Sequence, residues 1–188
     1  MPERNQQTKG KRTSRLVLIA AAASVVIWCS ACGGEKENMP GTQPNAPASA
    51  PPPVKPSITA TRAAAKAITA SKSNPDGEPK FAIDGDVTTA WSAGDVGPPQ
   101  WIQLDLGEPT TISEVLLNVG QTPDGPTTHE VYGGPAPDNL KLLGTLNGNT
   151  QDGQWLELKA KANDVRYVKV VTTKTPSWIA WREIEVYK

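Results

Sequence analysis

At 188 residues, 37% of them hydrophobic and 20% charged, the chain has room for one domain with a real core and some length left over. Its 19 basic and 19 acidic residues balance, but residues 1–31 hold five of the former and one of the latter, leaving 14 against 18, or about −4. An acidic domain without a Lys/Arg cluster cannot neutralise a phosphate backbone, which excludes nucleic acid as a partner.

Arg4, Lys9, Lys11, Arg12 and Arg15 precede an apolar run over 16–28, and Cys29-Ser30-Ala31-Cys32-Gly33-Gly34 follows. A basic start, a short apolar stretch and small residues before a cleavage point form the pattern of a bacterial export signal. The run is about a dozen residues, short of the roughly 20 that a spanning helix needs. Apart from Ser24 nothing polar shares its helical periphery, which argues against a buried core helix. Ser30-Ala31-Cys32 resembles a lipobox, with Cys29 where Leu is usual. The resemblance implies a signal over 1–31, lipidation at Cys32 and an exported, membrane-anchored protein of the cell envelope, at the outer membrane or surface rather than in the cytoplasm. Gly33 is not the Asp that commonly retains such lipoproteins at the inner membrane in some bacteria. With no cysteine after residue 32 the domain has no disulfide, thiolate metal site or cysteine nucleophile.

Residues 32–57 read as a tether, with Pro40, Pro44, Pro47, Pro51, Pro52, Pro53 and Pro56 among Ala, Ser, Asn and Gln. Such a composition cannot bury enough apolar surface to offset its ordering entropy and favours extended conformations. The domain is expected over 58–188. Its first part is ambiguous: 63–67 suits a helix, whereas 67–71 suits a strand.

Residues 81–91 read Phe-Ala-Ile-Asp-Gly-Asp-Val-Thr-Thr-Ala-Trp. Asp84, Asp86 and Thr89 bring short oxygen-bearing side chains together around Gly85, which is free to take positive φ. Hard cations such as calcium prefer that chemistry, with about 6–8 oxygens, some of them backbone carbonyls. An EF-hand is excluded, since the third acidic position, the glycine at the sixth loop place and the closing Glu are absent. An ordinary surface turn is the plainer reading of Asp-Gly-Asp alone.

From Trp101 onward, short alternating segments predict strands. Ile102, Leu104 and Leu106 alternate with Gln103 and Asp105, a strand closed by Gly107. Val115, Leu117 and Val119 follow, and further strands are expected at 131–132, 141–143, 155–158, 165–171 and 183–187. Clusters at 122–126, 133–137 and 147–149 read as turns. Many short strands at this spacing predict an all-β antiparallel sandwich.

In order and spacing, 82–91, Trp101-Ile102-Gln103-Leu104-Asp105-Leu106-Gly107, Ile112, Val115, His129-Glu130-Val131-Tyr132, 165–170 and Trp181-Arg182-Glu183-Ile184-Glu185-Val186-Tyr187 resemble the discoidin, or coagulation-factor type C, family. Family-32 carbohydrate-binding modules and other galactose-binding-like domains are its kin. The resemblance runs from about Ile68 to the C-terminus and implies an eight-stranded jelly-roll sandwich. It also implies a structural Ca2+ held by the side chains of Asp84 and Thr89, the carbonyls of Phe81, Asp86, Thr89 and Arg182, and the Glu183 carboxylate. The alternative for Glu183 is a solvent ion pair with Arg182 or Arg166.

Catalysis is not expected. One histidine, no domain cysteine and no Gly-x-Ser-x-Gly leave no serine triad or cysteine dyad, and a lone His129 makes no zinc site. The clustered acids are already spoken for by the calcium role, so no glycosidase pair remains. In the sandwiches this chain resembles, loops at one end meet ligand; here these are 92–99, 121–128 and 172–179. Trp178 is the first choice for a flat sugar platform, with Asp95, Gln121, Asp124, His129 and Lys174 as candidate polar companions. Trp91, Trp101 and Trp181 fall inside the shared motifs and are assigned to structure, while the face of Trp155 stays open. The expected function is non-catalytic carbohydrate binding. The alternative is a protein-interaction module in the envelope, with phospholipid binding a distant third because Trp178 and Ile179 form only one weak apolar spike.

Overall fold

The computed structural model describes residues 53–188. The expected signal, Cys32 and the tether up to residue 52 lie outside the described residues. Eight strands form: β1 (Arg62–Ala63), β2 (Ala67–Ala70), β3 (Trp91–Ser92), β4 (Gln100–Gly120), β5 (Gly125–Ala136), β6 (Asn139–Thr150), β7 (Trp155–Lys174) and β8 (Ala180–Tyr187). A 3-10 turn spans Pro79–Ala82. The Ala-rich start chooses strand over helix, because β2 finds backbone partners along β4 from Ala67↔Asp105 to Ala70↔Ile102.

All pairings are antiparallel, in the order β1-β8-β4-β7-β5-β6, with β2 beside β4 and β3 beside β8. The all-β jelly-roll sandwich implied by the sequence is the fold observed. Its two layers share two long strands. β4 and β7 pair first over 100–105 with 167–172 and again over 114–118 with 155–159, with bulges between. The first stretch is flanked by β2 and β5, the second by β8. Inward-facing residues of the two layers, among them Ile102, Leu104, Val131, Val168 and Val170 opposite Val115, Leu117, Ile184 and Val186, join one core with Trp91 and Trp181.

Three expected breaks are not breaks. Gly107 does not close its strand: it takes φ +86 and bends β4 from one layer into the other. The Asp105 carboxylate accepts the Gly107 amide at 2.7 Å and a two-pronged contact from Arg166 at 2.9 Å on each oxygen, pinning the corner. The clusters at 133–137 and 147–149 fall mostly inside β5 and β6. Gly134 serves close approach rather than a turn, since a Cβ there would collide with the carbonyl oxygen of Asn139.

Gly134→Ala is therefore expected to lower unfolding stability by about 1–3 kcal/mol, read as a fall in the urea midpoint. Gly97→Ala, where an added Cβ meets nothing within 4 Å, should leave the midpoint nearly unchanged. Equal midpoints for the two variants would contradict the packing assigned to Gly134.

Candidate functional site

The 84–89 loop folds on its own oxygens. Asp84 Oδ1 accepts the Asp86 amide at 2.9 Å, and its Oδ2 accepts the Thr89 hydroxyl at 2.9 Å. That hydroxyl also lies 2.9 Å from the Asp86 carbonyl, so three of the oxygens implied as ligands are gathered. Glu183, 1% exposed, turns Oε2 to the Gly85 amide at 3.0 Å and Oε1 to Arg62. Arg182 and Arg166, the solvent partners weighed for Glu183, are instead committed to Asp152 and Asp105. Burial pushes the Glu183 carboxyl above its ordinary range, against the opposing pull of Arg62 and the Gly85 amide. Among the described residues no three His, Cys, Asp or Glu side chains group into a metal site. A cation here would lean on the Thr89 hydroxyl and on carbonyls. Hard oxygens beside a buried carboxylate fit calcium chemistry.

Glu183 and Glu185 both point to the outer side of β8, where Lys55 and Arg62 meet them. Lys55 reaches Glu185 at 2.6 Å, and Arg62 contacts both carboxylates. Lys55 also sits 5.0 Å over the Trp155 ring, which gives that tryptophan an outward face. Trp101 likewise faces outward, under Lys169 at 4.3 Å, whereas Trp91 and Trp181 are core.

At the loop end, three of the six residues expected to meet ligand come together. Trp178 (46% exposed), Gln121 and His129 line a hollow of about 10 Å³, the room of a single water. His129 is buried, its ring 4.7 Å from that of Trp181 in an edge-on contact, and its Nδ1 lies 3.0 Å from the Thr172 hydroxyl. Its Nε2 has no partner. Gln121 is buried and fully used: its amide donates to the Thr150 and Pro123 carbonyls and its oxygen accepts the Thr150 hydroxyl. Asp124 lines a second hollow of about 300 Å³ with Gly125, Asn149, Thr150, Gln151 and Gln154. Thr150, hydrogen-bonded to Gln121, joins the two. Asp95 and Lys174 are exposed and line neither. Ile179 is buried and adds nothing to an apolar spike.

Sequence reasoning missed Asn149, Gln151 and Gln154. The connection between β6 and β7 carries no aromatic residue and only one charge, Asp152, and the 147–149 segment reads as a mere turn. It missed Asp152 as well, which accepts the Gln121 backbone amide at 3.1 Å and a fork from Arg182 at 3.1 and 2.7 Å. Burial alone would raise the Asp152 carboxyl, but Arg182 and the backbone amides hold it below the usual range.

The model of the F5/8 type C domain family matches residues 67–184. No match was found among curated proteins. Among solved structures, the chain is similar to the family 32 module of AlyQ in complex with 4,5-unsaturated mannuronic acid, at 23% identity, over 68% of this chain and 98% of that one, TM-score 0.58. Chitosan-binding module 1 of the chitosanase/glucanase from Paenibacillus sp. IK-5 shares 28% identity over 67% and 97%, TM-score 0.56. The family 32 module of C. perfringens NanJ in complex with galactose shares 17% over 65% and 93%, TM-score 0.55.

His129 makes a pH prediction. Burial pushes its imidazole down from 6.5 to about 4, so the folded ring stays neutral where the unfolded one takes a proton. Its contribution is intact above pH 6.5 and is lost as the pH falls toward 4. At about 1.4 kcal/mol per pH step the loss is on the order of 3 kcal/mol. His129→Gln should flatten this part of the stability profile in urea titrations between pH 6.5 and 4; an unchanged slope would contradict a buried neutral ring.

Proposed function

The chain belongs to the F5/8 type C domain family, and we propose that its domain binds carbohydrate at the loop end around Trp178 without catalysing a reaction. The observation that carries this reading is the half-exposed Trp178 ring on the narrow hollow it lines with Gln121 and His129, which the Gln121–Thr150 hydrogen bond joins to the wider one. A flat indole offers a face to the C–H side of a sugar ring, and a few fixed polar groups select its hydroxyls. Here Asn149, Gln151, Gln154 and Asp124 line the wider hollow, and His129, whose buried Nε2 has no partner, lines the narrow one. The structural neighbours seen with mannuronic acid and galactose support a glycan as the ligand class.

Calcium in the 84–89 loop is part of the proposal. Asp84, Thr89 and the Asp86 carbonyl would hold it, with Glu183 close by. Its work is structural, joining the loop to the last strand and neutralising a buried carboxylate. Export and lipid anchoring at Cys32 complete the proposal and rest on the N-terminal sequence. A second reading, a protein partner, draws on exposed apolar tips on three loops: Val87 (44%), Val96 (40%) and Trp178.

On a glycan array followed by titration calorimetry with the sugars retained, Trp178→Ala is expected to weaken binding at least about tenfold, near 1.4 kcal/mol, with an unchanged melting temperature. Retained affinity would remove Trp178 from the site, and a blank array with wild type would move the assignment to a protein partner. For the metal, the melting temperature of the whole chain should rise with calcium and fall on chelation, by mass action on the folded state. Asp84→Ala should abolish that dependence. Melting curves indifferent to calcium in both proteins would sink the metal assignment and leave the sugar site untouched.

A further inference from the structure

Arg182 stands at an irregularity in β8. Asn118 pairs with Glu183 but the next residue, Val119, pairs with Trp181, so Arg182 is the extra residue of a bulge. Bulges re-aim side chains, and this one turns a guanidinium toward two loops. One nitrogen donates to the Val87 carbonyl at 3.0 Å, inside the 84–89 loop. The other two grip Asp152 as a fork, and Asp152 Oδ1 also accepts the backbone amide of Gln121. Gln121 walls the Trp178 hollow. Four residues, Val87, Arg182, Asp152 and Gln121, thus connect the 84–89 loop to the loop end without a gap.

We propose that the Arg182–Asp152 pair couples the 84–89 loop to the Trp178 hollow, so that a cation ordering the loop also sets the position of Gln121 and the affinity for sugar. The inference rests on the sugar and calcium readings above and adds regulation to them. An exposed ion pair on its own contributes little. This one differs because both ends are tied to backbone, Val87 on one side and Gln121 on the other, and because the fork fixes direction as well as distance. Residues 84–88 are all exposed, so the loop has little packing to hold it independently of such bonds. The cation would draw on the Asp86 carbonyl and Thr89, which flank Val87, and what steadies them steadies the carbonyl that Arg182 holds. Linkage makes the effect reciprocal: sugar would raise cation affinity by the same factor, within the roughly 5–150-fold span typical of such couplings. Arg182 and Asp152 act here as positioning residues; in this proposal their side chains touch neither sugar nor cation.

The test uses the full-length chain, 15N-labelled, titrated with calcium chloride while the amide signals of Gly85 and Gln121 are followed by NMR. In wild type both signals should move together. In Asp152→Ala the Gly85 signal should still move and the Gln121 signal should stay still. Gln121 unmoved in wild type while Gly85 responds would overturn the coupling and spare the calcium reading. If neither moves in wild type, the calcium reading falls and the coupling falls with it. A second arm needs no labelled amide: binding of galactose and of chitotriose is measured with calcium and with chelator. Wild type should bind at least about fivefold tighter with calcium, and Asp152→Ala equally in both. Should Asp152→Ala weaken sugar binding by the same factor with calcium and with chelator, so that the variant keeps the calcium dependence of wild type, the pair is only a structural brace and the proposal is wrong.

Discussion

The pairing of β4 with β7 through both layers is the constraint from which the rest follows. A backbone buried in a sandwich must satisfy its amides and carbonyls along its whole length. Here two long strands do so for each other while passing from one sheet to the other. The passage needs a corner, and the corner needs a residue tolerant of positive φ. Gly107 supplies it, locked by the Asp105 carboxylate under the Arg166 fork. Once the corner is set, period-two alternation turns the same strands' apolar residues inward twice, once in each layer. The loops joining strands at the other end are left at one rim. Trp178, Gln121 and the 151–154 connection meet there because β4, β7 and β8 all have an end at that rim.

The outer side of β8 shows a different economy. Glu183 and Glu185 alternate with core-facing Ile184 and Val186, so the pleat alone presents two carboxylates on one face. Bare carboxylates side by side would repel, and burial pushes the Glu183 carboxyl up. Lys55 and Arg62 supply the compensating charge from far earlier in the chain. Residues 53–57, which composition marks as the end of a tether, thereby hold a contact with the domain through Lys55. Breaking one partner of such a pair strands a buried charge and is costly, even where the intact pair adds little net stability.

Much of the fold is legible in the chain. Ile102-Gln103-Leu104-Asp105-Leu106 and Val115-Leu116-Leu117 state their strands through alternation or continuous apolar character, and Trp91 and Trp181 sit in motifs that belong to the core. What misled was glycine. Gly107, Gly133, Gly134 and Gly148 look like punctuation, and each lies within a strand. A glycine permits a turn, a bend or a close approach, and only the neighbours decide among them. Leu143 against Gly133 and the Asn139 carbonyl against Gly134 were not readable from local sequence.

Taken alone, the sequence determined the all-β class, the family, the absence of cysteine chemistry after residue 32 and the oxygen-rich character of the 84–89 loop. Those follow from residue type and near-neighbour spacing, which act locally. Tertiary structure alone decided that Trp178 stands half-exposed while Ile179 beside it is buried, that Arg62 rather than Arg182 answers Glu183, and that Gln151 and Gln154 share a hollow with Asp124. Each of these depends on which distant strands pair and on where a single bulge falls. Moving register by one residue would send every following side chain to the opposite face. Contacts across the sheet are set by that register, and a one-dimensional reading carries no information about it until the partners are known.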